Sequence, residues 1–324
     1  MMAKSGQKIL HMTFHKCGSQ WVRDVLTSPE IVAHSSVGLG NSGVDLQRET
    51  WPAQDPGTLV GPVYNGSAQD WLTQKETGQK AVVVLRDPRD RLVSMMYSYT
   101  YSHTPNNVTA AIRGPLLSLS ERDRLLTCLF DSRHIEHAMR SWAGGIDDSF
   151  VTKYESLSAD ALHEFAAIVD FLEWNIPPEV LAAAVSRHSF ENRSGRKPGD
   201  INIHSHYRSG VAAGWRQHFD RDLGRLFEAL FPELLSRMGY EEDCSWFEAL
   251  TAAAETLQAG EVSGEHEARA EVTRMAEKLH VIEMECQKRG TVIEELQEVA
   301  QQRLQLIEEL DFACKQLRTT EGAG

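Results

Sequence analysis

The sequence predicts an α/β domain with a central, mainly parallel sheet, followed by a C-terminal coiled-coil helix. Two observations predict the domain: short apolar runs of the kind found in buried strands, and a longer amphipathic stretch after each run. A third observation, a heptad pattern of apolar residues near the end of the chain, predicts the coiled coil.

The predicted strands are the runs KILHMTF at 8–14, AVVVLR at 81–86 and SFVTKY at 149–154. Apolar runs of this length are typical of parallel strands that are buried on both faces. Helices are predicted over residues 19–26, 90–101, 123–142 and 159–172. Residues 34–70 are rich in Gly, Ser, Pro and Asn, and we expect them to form long loops.

The end of the chain has a different character, because it contains no proline beyond residue 270 and its apolar residues recur at a spacing of three and four. Twelve of the fourteen heptad a and d positions are apolar when Ala and Cys are counted, and both Cys286 and Cys314 fall at a positions. This pattern predicts a domain over 1–250, a linker over 251–268 and a coiled-coil helix over 269–318 that joins copies of the chain in a homo-oligomer. The alternative is one amphipathic helix that lies on its own domain.

Composition excludes several classes of protein. The 324 residues include 46 acidic and 33 basic side chains, a formal net charge of −13, which argues against a protein that grips nucleic acid along a basic face. No apolar stretch of transmembrane or signal-peptide type is found, so we expect a cytoplasmic protein without a transmembrane segment. The five cysteines form no C-x-x-C pair, which argues against a disulfide framework and a zinc site.

The segment HKCGSQW, residues 15–21, leads from the first predicted strand through a glycine into the first predicted helix. Such a turn directs backbone N–H groups and the positive end of the helix dipole at one place, so it predicts an anion site in a P-loop-like three-layer α/β/α domain. Lys16 would add a charge, Ser19 and Gln20 would add donors, and Trp21 offers a flat face for a purine. The triphosphatase pattern G-x-x-x-x-G-K-[ST] is absent, and this segment alone is equally compatible with a plain turn that carries an exposed lysine.

A second segment, VVVLRDPRDRLVS, predicts a phosphate site beside the first. Arg86 ends a predicted strand and Ser94 lies on the following helix, eight residues later. Both can face the crevice at the carboxyl edge of the sheet, where guanidinium and hydroxyl groups would bind a phosphate. We expect Asp87, Arg89 and Asp90 to form a local ion-pair network that orders the loop.

The third segment, residues 193–219, is called the flap below. It contains RSGRKPGD at 193–200 and HYRSGVAAGWRQHF at 206–219, and it concentrates basic residues and glycines in a chain that is otherwise acidic. A basic loop with glycine hinges is typical of segments that close over an anionic ligand.

In this order, the three segments resemble those of the cytosolic sulfotransferase family, which uses 3′-phosphoadenosine 5′-phosphosulfate (PAPS). HKCGSQW is similar to the family's 5′-phosphosulfate loop, RDPRDRLVS to its 3′-phosphate motif, KYESL to its Tyr-Glu-Asp-Leu segment, and RSGVAAGW to its Arg-Lys-Gly…Gly-Asp-Trp flap. The resemblance implies a metal-independent enzyme that transfers a sulfuryl group from PAPS to a hydroxyl or amine of a small-molecule, carbohydrate or lipid acceptor. It implies Lys16 as a catalytic residue and a nucleotide site made of Lys16, Cys17, Gly18, Ser19, Gln20, Trp21, Arg86, Ser94, Tyr154, Arg208, Ser209 and Gly210.

The sequence departs from the family pattern at Cys17, Gln20 and Ser209, the last of which replaces the flap lysine, and it lacks the aspartate before Trp215. The family's histidine base also has no counterpart, because no His occurs from residue 35 to 102.

Two residues are candidates to supply the missing base. Tyr64 lies at about the place of that histidine, and His103 follows the second segment and could line the acceptor pocket. A structural role is equally compatible with either residue.

Two other functions remain open on sequence grounds. A small-molecule kinase or other phosphotransferase would bind ATP with Mg²⁺. A non-catalytic coiled-coil interaction protein would keep only a degenerate nucleotide pocket.

Overall fold

The structure is a computed structural model that describes residues 6–40, 54–104 and 107–251. The predicted coiled coil, and all but the first residue of the predicted linker, lie outside these ranges. Among the helices that the structure describes, none is both long and apolar enough to cross a membrane.

Five parallel strands form one sheet in the order β2-β3-β1-β4-β5. The strands are β1 Lys8–Thr13, β2 Gly38–Leu39, β3 Thr58–Tyr64, β4 Gln79–Leu85 and β5 Ser149–Lys153. The three strands predicted from apolar runs are therefore confirmed as β1, β4 and β5. The parallel α/β class is confirmed as well.

The helices alternate with the strands and cover the sheet. They are α1 Ser19–Leu26, α2 Pro29–Ser35, α3 Ala68–Gln74, α4 Pro88–Tyr97, α5 Asn107–Ser118, α6 Glu121–Asp131, α7 Arg133–Arg140, α8 Tyr154–Ala159, α9 Ala161–Phe171, α10 Pro178–Arg187, α11 Phe190–Ser194, α12 Arg221–Leu230 and α13 Leu234–Arg237. A π-helical turn, Ser98–Ser102, continues α4, and 3₁₀ turns lie at Gly214–Gln217 and Trp246–Ala249.

Each face of the sheet has its own core, since side chains alternate along a strand. In β4, Val82 and Val84 pack with α1, α2, α9 and α10, whereas Val83 and Leu85 pack with α4, α6, α7 and α12. The result is the three-layer α/β/α arrangement that the sequence predicts.

Where the structure describes residues 34–70, the expectation of long loops is wrong, because this region contains β2, β3 and the start of α3. Residues 41–53 lie outside the described ranges. β3 was not predicted from the sequence because it contains Gly61 and Pro62, and both residue types usually interrupt strands. A Cβ on Gly61 would lie 2.6 Å from the carbonyl oxygen of His11 in β1, so the close approach of the two strands requires glycine here. The register of β1 and β3 shifts at this point.

The predicted helix over 123–142 is two helices, α6 and α7, which meet at Ser132. The Ser132 hydroxyl donates to the carbonyl of Cys128 at 2.7 Å and is buried. Local bonding of this kind competes with the helical pattern and accompanies the break.

Candidate functional site

The carboxyl ends of β1, β4 and β5 open into a cavity of about 1190 Å³. Ligands of open parallel sheets bind at this edge. All the predicted site residues except Cys17 line the cavity: Lys16, Gly18, Ser19, Gln20, Trp21, Arg86, Ser94, His103, Tyr154, Arg208, Ser209 and Gly210.

The loop from β1 to α1 turns through two left-handed residues, Lys16 with φ 73° and Gly18 with φ 85°. A Cβ on Gly18 would lie 2.9 Å from the ring of Tyr154, so both the backbone conformation and the space require glycine. This loop leads into the first turn of α1, where backbone N–H groups lack partners within the helix. The site thus begins with a helix N-terminus directed into the cavity.

Cys17 is the exception among the predicted contacts. Its side chain is fully buried in the core on the α4 side of the sheet, and its N–H donates to the carbonyl of Phe14 at 3.2 Å. Burial raises the pKa of the thiol to about 12. The prediction that Cys17 contacts the nucleotide is therefore not supported, because neither its thiol nor its N–H faces the cavity.

Lys16 places a primary amine near the N-terminus of α1. Its ammonium group donates to the hydroxyl of Ser98 at 3.3 Å. Desolvation, together with the positive charges of Arg86 and Arg208, lowers the pKa of Lys16 to about 8. A bound anion would reverse this effect, so the site favours a negatively charged ligand.

Arg86 occupies the end of β4, as the sequence predicts. Its guanidinium donates to the carbonyl of Lys16 at 2.9 Å and stacks 4.3 Å from the ring centroid of Tyr154. Within the described part of the chain, its buried Nε has no hydrogen-bond partner. The side chain is therefore held in place and keeps a donor for a ligand.

Arg208 brings a second guanidinium from the flap. It lies 4.9 Å from the ring centroid of Tyr97, and its buried Nε also has no partner among the described residues. Desolvation and the nearby charge of Arg86 lower the pKa of Arg208. Two arginines that repel one another in a partly buried site are stabilised when an anion binds between them.

Asp90, in the segment VVVLRDPRDRLVS, binds the backbone of the flap. Its carboxylate accepts the N–H of Ala213 at 2.6 Å and of Trp215 at 2.8 Å. Gly210 adopts φ 65°, and a Cβ there would lie 2.5 Å from the ring of Phe190, so the flap needs a glycine at this bend.

The predicted ion-pair network among Asp87, Arg89 and Asp90 forms only in part. Asp87 and Arg89 pair at 2.7 Å, and Arg89 also pairs with Glu241 at 2.5 Å. Asp90 instead fastens the flap. The guanidinium of Arg89 lies 3.7 Å from the ring centroid of Trp215, so the network also holds the base of the flap.

Trp21 and Tyr154 form the wall of the cavity beyond the helix N-terminus. Their rings meet edge to face at a centroid distance of 6.4 Å. The buried Nε1 of Trp21 has no partner among the residues described. Beyond Trp21, Asp24 pairs with Arg23 and with Arg193 of the flap. This end has the flat faces and donors that a purine requires.

The opposite end of the cavity has mostly apolar walls. They consist of Met95, Tyr99, Ile112, Leu116 and Cys128, with Thr127 and Asp131 beside them. Residues 100–120 contribute His103, Ile112 and Leu116 to the lining of the cavity, and residues 34–70 contribute Tyr64.

Both predicted base candidates lie in the cavity. The hydroxyl of Tyr64 bonds to the Ser19 hydroxyl at 3.0 Å and accepts from the Gln20 amide at 3.4 Å. The Nδ1 atom of His103 lies 2.7 Å from the carbonyl oxygen of Thr104 and donates to it, which leaves Nε2 as the basic nitrogen.

Three further histidines, His15, His188 and His206, line the same cavity, and none of them was predicted from the sequence. The ring of His15 stacks on Tyr64 at a centroid distance of 4.1 Å. Desolvation of its ring, with the charges of Lys16 and His103, lowers the pKa of His206 to about 4. The available signal for His206 was its place two residues before Arg208 in the flap.

Within the described ranges, no group of three or more His, Cys, Asp or Glu side chains is arranged to hold a metal ion.

Comparison with known proteins yields one family. A family model described as a sulfotransferase domain matches residues 70–239. No curated protein matches the chain.

Several solved structures resemble the chain. A mouse sulfotransferase, SULT7A1, complexed with PAP is 18% identical with a TM-score of 0.47, and the match covers 71% of this chain and 84% of that one. A retinol dehydratase in complex with androsterone and the inactive cofactor PAP is 15% identical with a TM-score of 0.38, and the match covers 70% of this chain and 80% of that one.

Proposed function

The chain belongs to the sulfotransferase family and is a PAPS-dependent transferase, and we propose that its cavity binds the donor between Lys16, Arg86 and Arg208. Lys16 and the N-terminus of α1 would hold the phosphosulfate. Arg86, Ser94 and Arg208 would hold the 3′-phosphate. One observation carries this assignment: three cations from three separate segments meet in one cavity at the N-terminus of a helix.

The unused donors of the cavity support a doubly anionic nucleotide as its ligand. Trp21, Arg86 and Arg208 each keep a buried N–H without a partner in the described part of the chain. Buried donors of this kind cost free energy until a ligand satisfies them. A purine beside Trp21 and a phosphate between the arginines would satisfy all three, so the residues fit the donor.

In this assignment, PAPS supplies a sulfuryl group on a phosphate leaving group. Lys16 stabilises the negative charge that develops on the oxygen between phosphorus and sulfur as the bond breaks. The N–H groups at the start of α1 would stabilise the same charge. Removing one such donor typically lowers the rate about 10²–10³-fold.

The acceptor would enter from the end of the cavity that Met95, Tyr99 and Leu116 line. These apolar walls suit the body of a small molecule or a lipid, and a carbohydrate remains within the proposal. The reacting group would be a hydroxyl or an amine. A panel of 4-nitrophenol, a hydroxysteroid, a fatty alcohol and an amino sugar separates these classes.

Titration calorimetry with 3′,5′-ADP tests the donor site. We expect metal-independent binding that ATP cannot match, and transfer of radiolabelled sulfate from PAPS to a member of the panel. The Lys16→Ala protein should still bind 3′,5′-ADP but transfer about 10²–10³-fold more slowly. Transfer at the wild-type rate by Lys16→Ala would refute the role of Lys16, and Mg²⁺-dependent binding of ATP would favour a kinase instead.

We also propose that residues 269–318 form a coiled coil that joins copies of the chain, after a domain over 1–250 and a linker over 251–268. The heptad sequence supports this proposal. Light scattering on the full chain should give an oligomer, and Leu296→Asp, at a d position, should give a monomer. A cytoplasmic location stays a prediction.

A further inference from the structure

Among the ionisable side chains that the flap brings to the cavity are His206 and Arg208, two residues apart. The flap is tied internally at this point, since the N–H of Asn202 donates to the carbonyl of Arg208 at 2.9 Å and Arg196 donates to the carbonyl of Tyr207. The backbone that carries the two side chains is therefore part of one hydrogen-bonded loop. A phosphate that binds to Arg208 would therefore also position His206.

The imidazole of His206 lines the cavity in which the proposed transfer would take place. His206, Lys16 and His103 line the same cavity, and the charges of Lys16 and His103 both act to lower the pKa of His206. Two other groups of the cavity that could accept a proton already have contacts within the protein. The hydroxyl of Tyr64 is already bonded to Ser19 and Gln20, and the ring of His15 lies flat on Tyr64.

We propose that His206 is the general base of the transfer reaction, and that binding of the donor through Arg208 brings it into place. This inference rests on the proposed function. In the step, the acceptor oxygen forms a bond to sulfur while the bond between sulfur and the 5′-phosphate oxygen breaks. The electron pair of that bond stays on the phosphate oxygen, and the proton of the acceptor hydroxyl moves to a nitrogen of His206.

The charges around His206 explain how one ring can be neutral before the step and basic during it. In the free protein, desolvation and the charges of Lys16 and His103 lower the pKa of His206 to about 4, so the ring is neutral near pH 7. A bound nucleotide places negative charge beside Lys16, which raises the pKa of His206 again. The ring then accepts a proton more readily when the donor is present.

The flap itself offers a matched control. His204 lies two residues from His206 and is exposed as His206 is, but it does not line the cavity, and its ring meets Tyr101 edge to face at a centroid distance of 5.5 Å. The variants are His206→Gln, His204→Gln and His103→Gln. Each is measured for its affinity for 3′,5′-ADP and for its rate of transfer from PAPS to the fastest acceptor of the panel.

We expect His206→Gln to lower kcat by about 10²-fold or more and to change the affinity for 3′,5′-ADP by less than about twofold. His204→Gln should match the wild type. The wild-type rate should rise with pH through the pKa of His206 in the complex, and this acid limb should vanish in His206→Gln. A wild-type rate and pH profile in His206→Gln, or a larger loss in His103→Gln, would overturn the proposal.

A second readout does not depend on an acceptor. Proton NMR follows the His206 ring, which is assigned as the resonance missing from His206→Gln. Adding 3′,5′-ADP should move its titration midpoint upward, and an unchanged midpoint would overturn the inference while leaving donor binding intact. If the wild type binds no 3′,5′-ADP at all, the proposed function fails, and this inference fails with it.

Discussion

Lys16 should take up a proton when the nucleotide binds. In the free protein its pKa is about 8, because the ammonium group is desolvated and faces Arg86 and Arg208. Binding of 3′,5′-ADP places a phosphate beside it, which favours the charged form and raises the pKa toward its ordinary value of 10.5. Lys16 is then protonated in the complex at every pH below about 9.

The size of the effect follows from the two pKa values. A group of pKa about 8 is roughly 90% protonated at pH ~7 and roughly 25% protonated at pH ~8.5. Binding should therefore take up less than about 0.1 proton at pH ~7 and about 0.7 proton at pH ~8.5. For the same reason, the affinity for 3′,5′-ADP should fall about tenfold between pH ~7 and ~9.

Titration calorimetry in buffers of different ionisation enthalpy measures this proton uptake. The control is Lys16→Arg, which keeps the positive charge but is protonated throughout this range. It should bind without proton uptake and with little dependence on pH. The reasoning is refuted if the wild type takes up no proton at pH ~8.5, or if Lys16→Arg takes up as much as the wild type.

Three other variants test the phosphate site, the turn and the core. Arg86→Gln should weaken binding of 3′,5′-ADP by about 10- to 100-fold and leave 5′-AMP nearly unaffected, since only the first ligand carries a 3′-phosphate; calorimetry compares the two. Gly18→Ala forces a Cβ into a left-handed turn against an aromatic ring, so both nucleotide binding and Tm should fall, whereas Gly144→Ala, with nothing within 4 Å, should melt like the wild type. Arg91 and Glu136 form an ion pair that is 0% exposed at both side chains, so Arg91→Leu should lower the free energy of unfolding in urea by about 3–5 kcal/mol. The double variant Arg91→Leu/Glu136→Leu should lose less, because it leaves no buried charge without a partner; an equal loss would contradict this account.

The parts of the fold that the sequence predicted are those where a strand is buried on both faces. β1, β4 and β5 are runs of apolar residues whose alternate side chains enter the two cores, so the pattern appears without knowledge of the neighbours. β3 could not be recognised in this way. Its glycine is needed because β1 lies against it, and that contact is a property of the assembled sheet.

The same distinction applies to the cavity. Lys16 and Arg86 follow directly on predicted strands, so their place at the carboxyl edge could be deduced from the chain alone. Arg208 was predicted because it lies in the basic, glycine-rich flap, whose sequence resembles the flap of the family. His15, His188 and His206 were not predicted, because only the folded chain shows that their side chains line the cavity.

The two departures in the flap compensate each other in charge. Ser209 stands where the family pattern has a lysine, which removes one positive charge, and Gly214 stands where it has an aspartate, which removes one negative charge. A Cβ on Gly214 would lie 3.7 Å from both a guanidinium nitrogen of Arg208 and a carboxylate oxygen of Asp90, so an aspartate side chain would start beside both groups. Its absence leaves Arg208 less neutralised from within the protein. The two replacements together thus leave the net charge of the flap unchanged, and Arg208 keeps its positive charge for a phosphate.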